Sequence, residues 1–252
     1  MKRVIGIFVG VLLAVPNLQG ASWQVGGGRQ IKRISDALVH AQAGDTIWVD
    51  SGIYNEHNLI INKQVILMGI HYPVLDGEYK YENVTIRADH VTLSGFHIIR
   101  SAVSSIVDYA GARIENCHYV TVENNLFTDC FFGVYSQRSA SCIIRANRFR
   151  SHQVHEQQSG NGIHCWKSDS MQIIANTIVG HRDGIYFEFV TNSIIWRNIS
   201  SGNIRYGLHF MFSNQDTYVA NIFEHNGAGV SVMFSKHVNM FHNTFRDNWG
   251  DG

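Results

Sequence analysis

The most regular feature of the chain is a short apolar segment ending in asparagine that returns about every 22 residues. "CIIRAN", "QIIANT", "IIWRN", "TYVAN" and "NMFHN" carry Asn147, Asn176, Asn198, Asn221 and Asn243, at spacings of 29, 22, 23 and 22. A glycine landmark keeps step: "GVYSQ" at Gly133, "GIHCW" at Gly162, "GIYFE" at Gly184, "GLHFM" at Gly207 and "GVSVM" at Gly229. Both landmarks absorb the same seven-residue excess around "SHQVHEQQSGN", so a 22-residue unit with one inserted loop accounts for the spacing. The units lack a Leu-rich signature and helix-forming stretches, which argues against a leucine-rich repeat. They hold two or three β-prone runs separated by Asn, Ser and Gly. Only Pro16 and Pro73 interrupt the chain, so strands can keep their ladder bonds. The pattern predicts an all-β, right-handed parallel β-helix whose rungs stack about 4.8 Å apart. The asparagines would then form a ladder of amides hydrogen-bonded along the axis.

Upstream, "ISDALVHAQAGD" follows a helical pattern over residues 31–43 that would cover the exposed first rung. Strand-like runs "VILMG", "VTLSGFHII" and "YVTVENN" then lead into the regular region with no linker, which predicts one domain over residues 21–252. The N-terminus has a different character. Lys2 and Arg3 precede an apolar run, Val4 to Val15, and then "PNLQGAS", which reads as a signal peptide over residues 1–20. Twelve residues are too short for a membrane span, so the expectation is an exported, periplasmic protein.

Without Lys2 and Arg3 the chain carries 18 basic and 20 acidic residues, which speaks against a nucleic-acid partner. Cys117, Cys130, Cys142 and Cys165 contain no CxxC and match neither a zinc ribbon nor a redox motif. They are expected to be buried free thiols, with one bridge at most.

Aligning the rungs on the glycine places one aliphatic column immediately after it: Val134, Ile163, Ile185, Leu208 and Val230. That column must face the core, and alternation puts Ser136, Cys165, Phe187, Phe210 and Val232 inside with it. The intervening positions point outward. They are Tyr135, His164, Tyr186, His209 and Ser231, beside Gln137, Trp166, Glu188, Met211 and Met233. His209, Met211 and Met233 can therefore point at one small volume, with His164 and Glu188 on nearby rungs. Imidazole and thioethers suit Cu(I) and suit Ca²⁺ or Mg²⁺ poorly. An aromatic ligand-binding face and a face without function are the alternatives. Methionine is usually core filler, and Met68, Met171 and Met240 are read that way. Two residues before the ladder lie Arg145, Ile174, Trp196, Val219 and Phe241, an apolar stripe if it faces out. Trp196, Val219, Phe241, Trp166 and Tyr186 are the candidate partner surface. His152, His155 and Glu156 in the insert read as a solvated polar loop that could add ligands.

"NGIHCWKSDSMQIIAN", "GHRDGIYFEFVTNSIIWRN", "RYGLHFMFSNQDTYVANIF" and "NGAGVSVMFSKHVNMFHNTFRDNWG" closely resemble the NosD family. The resemblance runs from the helix onward and is densest over residues 160–250. It implies a periplasmic, non-catalytic β-helix protein that handles copper for maturation of nitrous oxide reductase. The partners it implies are an ABC-type ATPase and permease, a membrane-anchored copper chaperone lipoprotein and apo nitrous oxide reductase. The family continues for several more rungs, so the resemblance also implies a shortened chain here. It supplies no ligand motif, and the copper residues rest on the column argument. Two readings compete with it. One is a carbohydrate lyase or glycosidase using Trp166, Tyr186, Glu188 and Asp183; the other is a metal-free binding scaffold.

Overall fold

The structure is a computed structural model that describes residues 20–104 and 106–250. The signal-peptide segment lies outside the described residues, apart from Gly20. Short strands coil into three wholly parallel sheets of ten, eight and nine strands. One rung runs Tyr206–Met211, Thr217–Val219 and Ile222–Glu224. Its strands pair with the next rung as Leu208↔Val230, Tyr218↔Met240 and Phe223↔Phe245. Pairing continues without slip across the insert, Val134↔Ile163 and Ile144↔Ile173, so the 29-residue spacing is an outward loop. The all-β solenoid read from the repeat is the observed fold.

The inward columns fall where alternation put them. Val134, Ile163, Ile185, Leu208, Ser136, Cys165, Phe187 and Phe210 are fully buried. Each apolar side chain of this size contributes about 1.5–3 kcal/mol on burial. Val232 lies on the last described strand of its sheet and is 48% exposed. The landmark glycines are a packing requirement: a Cβ on Gly207 would meet Gly229 O at 2.7 Å and the Phe223 ring at 2.8 Å.

The asparagine ladder is present and begins one rung earlier, at Asn125. Asn198 Nδ2 donates to Asn221 Oδ1 at 3.0 Å and to Ile173 O at 2.8 Å. Its Oδ1 accepts from the backbone N–H and the side-chain amide of Asn176 at 2.9 and 3.0 Å. Immediately before these asparagines the backbone turns left-handed, at Ala146, Ala175, Arg197, Ala220 and His242. Such a conformation costs an L-residue roughly 1–2 kcal/mol, and the ladder offsets it by satisfying the buried polar groups of the turn. A second ladder, Asn203–Asn226–Asn248, has links of 2.8 and 3.2 Å.

Three expectations need correction. The helix spans only Ile34–His40, because Ile31 is held in a bridge to Val25. Side chains from other rungs fix both ends. The Glu56 carboxylate accepts from Ile34 and Ser35 N–H, and Lys63 Nζ donates to Leu38, Val39 and Ala41 carbonyls. Acidic and basic groups thereby complement the helix dipole. Met171 is core, but Met68 is half-buried between outward-facing Trp48 and Ser94. Met240 is 55% exposed on the last described rung.

All four cysteines are buried free thiols, and burial pushes Cys117 and Cys142 up to about 11 and Cys130 up to about 12. Asp216 is also buried. Its Oδ1 accepts from Ser193 N–H at 2.9 Å, while Oδ2 has no partner. Burial raises this carboxyl to about 7, opposed by the Ser193 bond and assisted by Asp169.

Asn198→Ala should lower unfolding free energy by about 3 kcal/mol, since it removes the acceptor of two buried donors of Asn176 and the donor to Ile173 O; urea denaturation checks this. Asp216 is raised in the folded state, so its contribution is fully present below about pH 4 and is lost as pH rises through about 7. Asp216→Asn should flatten that decline when unfolding is compared at pH 5 and pH 8.

Candidate functional site

On the outer face of the eight-stranded sheet the candidate residues occupy five successive rungs. Register places Tyr135, His164, Tyr186 and His209 in one column, and Gln137, Trp166, Glu188, Met211 and Met233 in the next. The rings follow the axis at centroid separations of 4.9, 4.7 and 4.5 Å. Outward does not mean exposed here. Tyr135, His164 and His209 are only 5, 7 and 2% exposed, because each ring covers the next and flanking rings close the sides. Phe132 meets His164 edge-on at 5.0 Å, and Tyr206 lies 4.9 Å from His209. Burial pushes Tyr135 and Tyr186 up to about 12 and His164 down.

A groove of about 760 Å³ opens over this face. Its floor is Tyr135, His164, Trp166, Tyr186 and Glu188. One wall contains Ser104 and Asp108; Glu156, Gln157 and Ser159 from the insert contribute the other. The insert is largely exposed, as expected of a polar loop, and it also shapes this groove. His152 pairs with Asp129 at 3.0 Å, and His155 does not line the groove.

A carboxylate stands beside each of the two histidines, within hydrogen-bond distance only at His209. Glu188 Oε2 lies 3.8 Å from His164 Nε2, and Asn161 Nδ2 lies 3.5 Å from His164 Nδ1. Asp183, wholly buried, places Oδ2 3.4 Å from His209 Nδ1. Its Oδ1 accepts from Tyr206 N–H at 3.3 Å and lies 3.5 Å from Arg205 Nε. Arg205 also reaches Glu156 of the insert at 3.4 Å. Among the described residues, eight buried side-chain polar atoms lack a hydrogen-bond partner, and six of them fall between Asn161 and His209. They include Nε2 of both His164 and His209. Native interiors leave few such atoms, so a concentration marks a site. It also includes both ring nitrogens of His181, a buried residue that sequence patterning missed and that burial pushes down to about 4.

Met211 and Met233 are rung partners, and His209 precedes Met211 by two positions on the same face. His164 lies two rungs from His209, about 10 Å at a rung spacing near 4.8 Å, so the candidate ligands divide into His164 with Glu188 and His209 with the methionines. Glu188 is also the rung neighbour of Met211. No group of three His, Cys, Asp or Glu side chains able to hold a metal occurs among the described residues. His209, Met211 and Met233 share one face of adjacent rungs, and their soft donors suit Cu(I) better than a hard ion. The thiols are sealed in the core and held protonated, which removes them from this chemistry.

The predicted partner surface divides as well. Ile174, Trp196, Val219 and Phe241 are in register on the ten-stranded sheet and face out, with Trp196 36% and Phe241 53% exposed. Trp166 and Tyr186 belong to the eight-stranded sheet, so the five residues form two surfaces. A further exposed column went unread: Phe189, Phe212 and Phe234, stacked at 5.1 and 5.0 Å. It directly follows Glu188, Met211 and Met233 in the chain, so the repeat alignment contains it.

A family model described as a right handed beta helix region matches residues 19–178, more than half of the chain. The chain belongs to the right-handed β-helix family. A second model, described as periplasmic copper-binding protein (NosD), matches residues 151–252. The protein is thus a NosD-like β-helix, and the NosD match spans the rungs carrying His164, Glu188, His209, Met211 and Met233. Comparison with curated proteins found no match. Among solved structures, a double mutant of the periplasmic alginate epimerase AlgG is 13% identical with a TM-score of 0.64. That alignment covers 84% of this chain and 53% of AlgG, so the β-helix spans about half the epimerase's length. XylC in complex with xylose is 10% identical with a TM-score of 0.63, covering 89% and 70% of the two chains. Pectate lyase Pel9A is 13% identical with a TM-score of 0.56, covering 92% and 78%. At these identities the likeness shows the fold alone. No helix among the described residues is long and apolar enough to cross a membrane.

Proposed function

We propose that this NosD-like β-helix is a non-catalytic copper-handling adaptor of the periplasm, with Cu(I) as transient cargo rather than a resident cofactor. The observation that carries the reading is the NosD match over residues 151–252, the segment in which His209, Met211 and Met233 share one outer face. The soft donor set supports a monovalent copper ion, and His209 Nε2 is buried without a hydrogen-bond partner. In this reading the N-terminal apolar segment exports the protein. An ABC-type ATPase and permease, a membrane-anchored copper chaperone lipoprotein and apo nitrous oxide reductase are its partners. The exposed Trp196–Val219–Phe241 stripe is a candidate contact for one of them.

A second reading is favoured by the groove itself. Trp166 and Tyr186 offer apolar faces, and His164 and Glu188 stand 3.8 Å apart beside them. Aromatic faces with polar groups at their edges suit a saccharide, and the proteins of similar fold include an alginate epimerase, a pectate lyase and a xylose complex.

The two readings separate experimentally. Anaerobic competition against a chromophoric Cu(I) chelator should show binding that falls by more than about 100-fold when His209, Met211 and Met233 are all replaced by Ala. Unchanged affinity would sink this site. Incubation with a panel of acidic and neutral polysaccharides should release neither reducing ends nor unsaturated sugars. Release that disappears in Glu188→Gln would establish the enzyme reading instead.

A further inference from the structure

Two buried histidines occupy the same outward column, and at one of them, His209, the surroundings decide which nitrogen carries the proton. A carboxylate accepts hydrogen bonds and donates none, so the ring nitrogen facing it is the protonated one in a neutral imidazole. At His209 the carboxylate stands on the Nδ1 side: Asp183 Oδ2 is 3.4 Å away. At His164 it stands on the Nε2 side: Glu188 Oε2 is 3.8 Å away, while an Asn161 amide nitrogen approaches Nδ1 at 3.5 Å. At 3.8 Å Glu188 is beyond hydrogen-bond distance and His164 Nε2 has no partner, so only the His209 tautomer is set by a hydrogen bond. His209 keeps its proton on Nδ1 and leaves Nε2 bare, buried and without a partner.

We propose that Asp183 is a positioning residue that fixes the Nδ1–H tautomer of His209 and so leaves the Nε2 lone pair of that ring for a soft metal ion. The assignment of the metal rests on the copper-handling reading; the tautomer does not. A carboxylate behind a ligating histidine both orients the ring and raises its basicity. Asp183 suits that task because it cannot turn away. Its Oδ1 is held by Tyr206 N–H and the Arg205 guanidinium, and Arg205 is tied in turn to Glu156 of the insert. The rungs that carry the ligand and the loop that breaks the repeat are thereby linked through one side chain.

The same contacts specify the effect of a nearly isosteric change. In Asp183→Asn the single amide oxygen would stay with the two donors, Tyr206 N–H and Arg205. The amide NH₂ would then face His209 Nδ1, which must become the acceptor. The proton moves to Nε2, and the lone pair is lost from the outer face.

The test uses metal-free full chain labelled with ¹⁵N-histidine, in which long-range ¹H–¹⁵N correlation reads the tautomer of each ring. His209→Gln and His164→Gln spectra assign the signals. The expected result at neutral pH is Nδ1–H for His209. An Nε2–H or doubly protonated His209 overturns the proposal, and this reading of the unsubstituted protein does not depend on any variant folding. In Asp183→Asn, checked for native circular dichroism, His209 should switch to Nε2–H and Cu(I) affinity should fall about 10–100-fold. Unchanged affinity with copper bound by the unsubstituted protein also overturns it. If the tautomer is as stated but no Cu(I) is retained, the copper reading fails and the assignment of Asp183 stands.

Discussion

Parallel pairing in strict register, rung upon rung, is the constraint on which everything else in this molecule depends. It makes every position of the 22-residue unit a column, so a side chain's neighbours along the axis are the residues at the same position in adjacent rungs. Polar side chains in the interior are tolerated when the column is uniform. The amides from Asn125 to Asn243 satisfy each other and the backbone of a turn that is left-handed at every repeat. Isolated in such a core, each would be a buried polar group worth a penalty of about 1–3 kcal/mol. Stacked, they become the seam that holds the turn.

The same rule shapes the outer face. Rings at the rung spacing shield one another, so Tyr135, His164 and His209 point away from the core and are nonetheless buried. Burial without uniformity is what creates chemistry. A column of alternating tyrosine and histidine cannot satisfy itself as asparagines do, and its unpartnered nitrogens lie where the regular pattern is broken. Asp183, within hydrogen-bond distance of Nδ1, then sets His209 apart. The interruption of the repeat is part of this arrangement, because the insert forms a groove wall and reaches Asp183 through Arg205.

The comparisons bear on different levels of this picture. The right-handed β-helix match describes the scaffold, which the epimerase and lyase folds share at about one residue in eight. A scaffold of this kind hosts unrelated chemistries, so function has to be argued from the face. The NosD match coincides with the rungs whose outer face carries histidine and methionine. The four thiols, the softest ligands in the chain, contribute nothing because they are inside and protonated.

Period, columns and facing were legible in the chain itself, because a solenoid reduces packing to nearest neighbours in a one-dimensional repeat. The Asn147–Asn243 ladder, the inward column from Val134 to Leu208 and the pairing of Met211 with Met233 all follow from alignment alone. What alignment could not reveal is whatever depends on contacts between different positions of the unit. The helix starts only at Ile34 because Ile31 is held in a bridge to Val25, its last carbonyls are taken by Lys63 from another rung, and Met240 is exposed on the last described rung. Trp166 and Trp196 prove to lie on separate sheets, since the turn angles between strands carry no periodic signature. The burial of His209, and the carboxylate behind it, arise from Asp183 and Tyr206 meeting it in three dimensions. The sequence by itself determined the columns; only the tertiary structure decided which of their atoms were left without a partner, because hydrogen bonding is settled by distance and direction rather than by order along the chain.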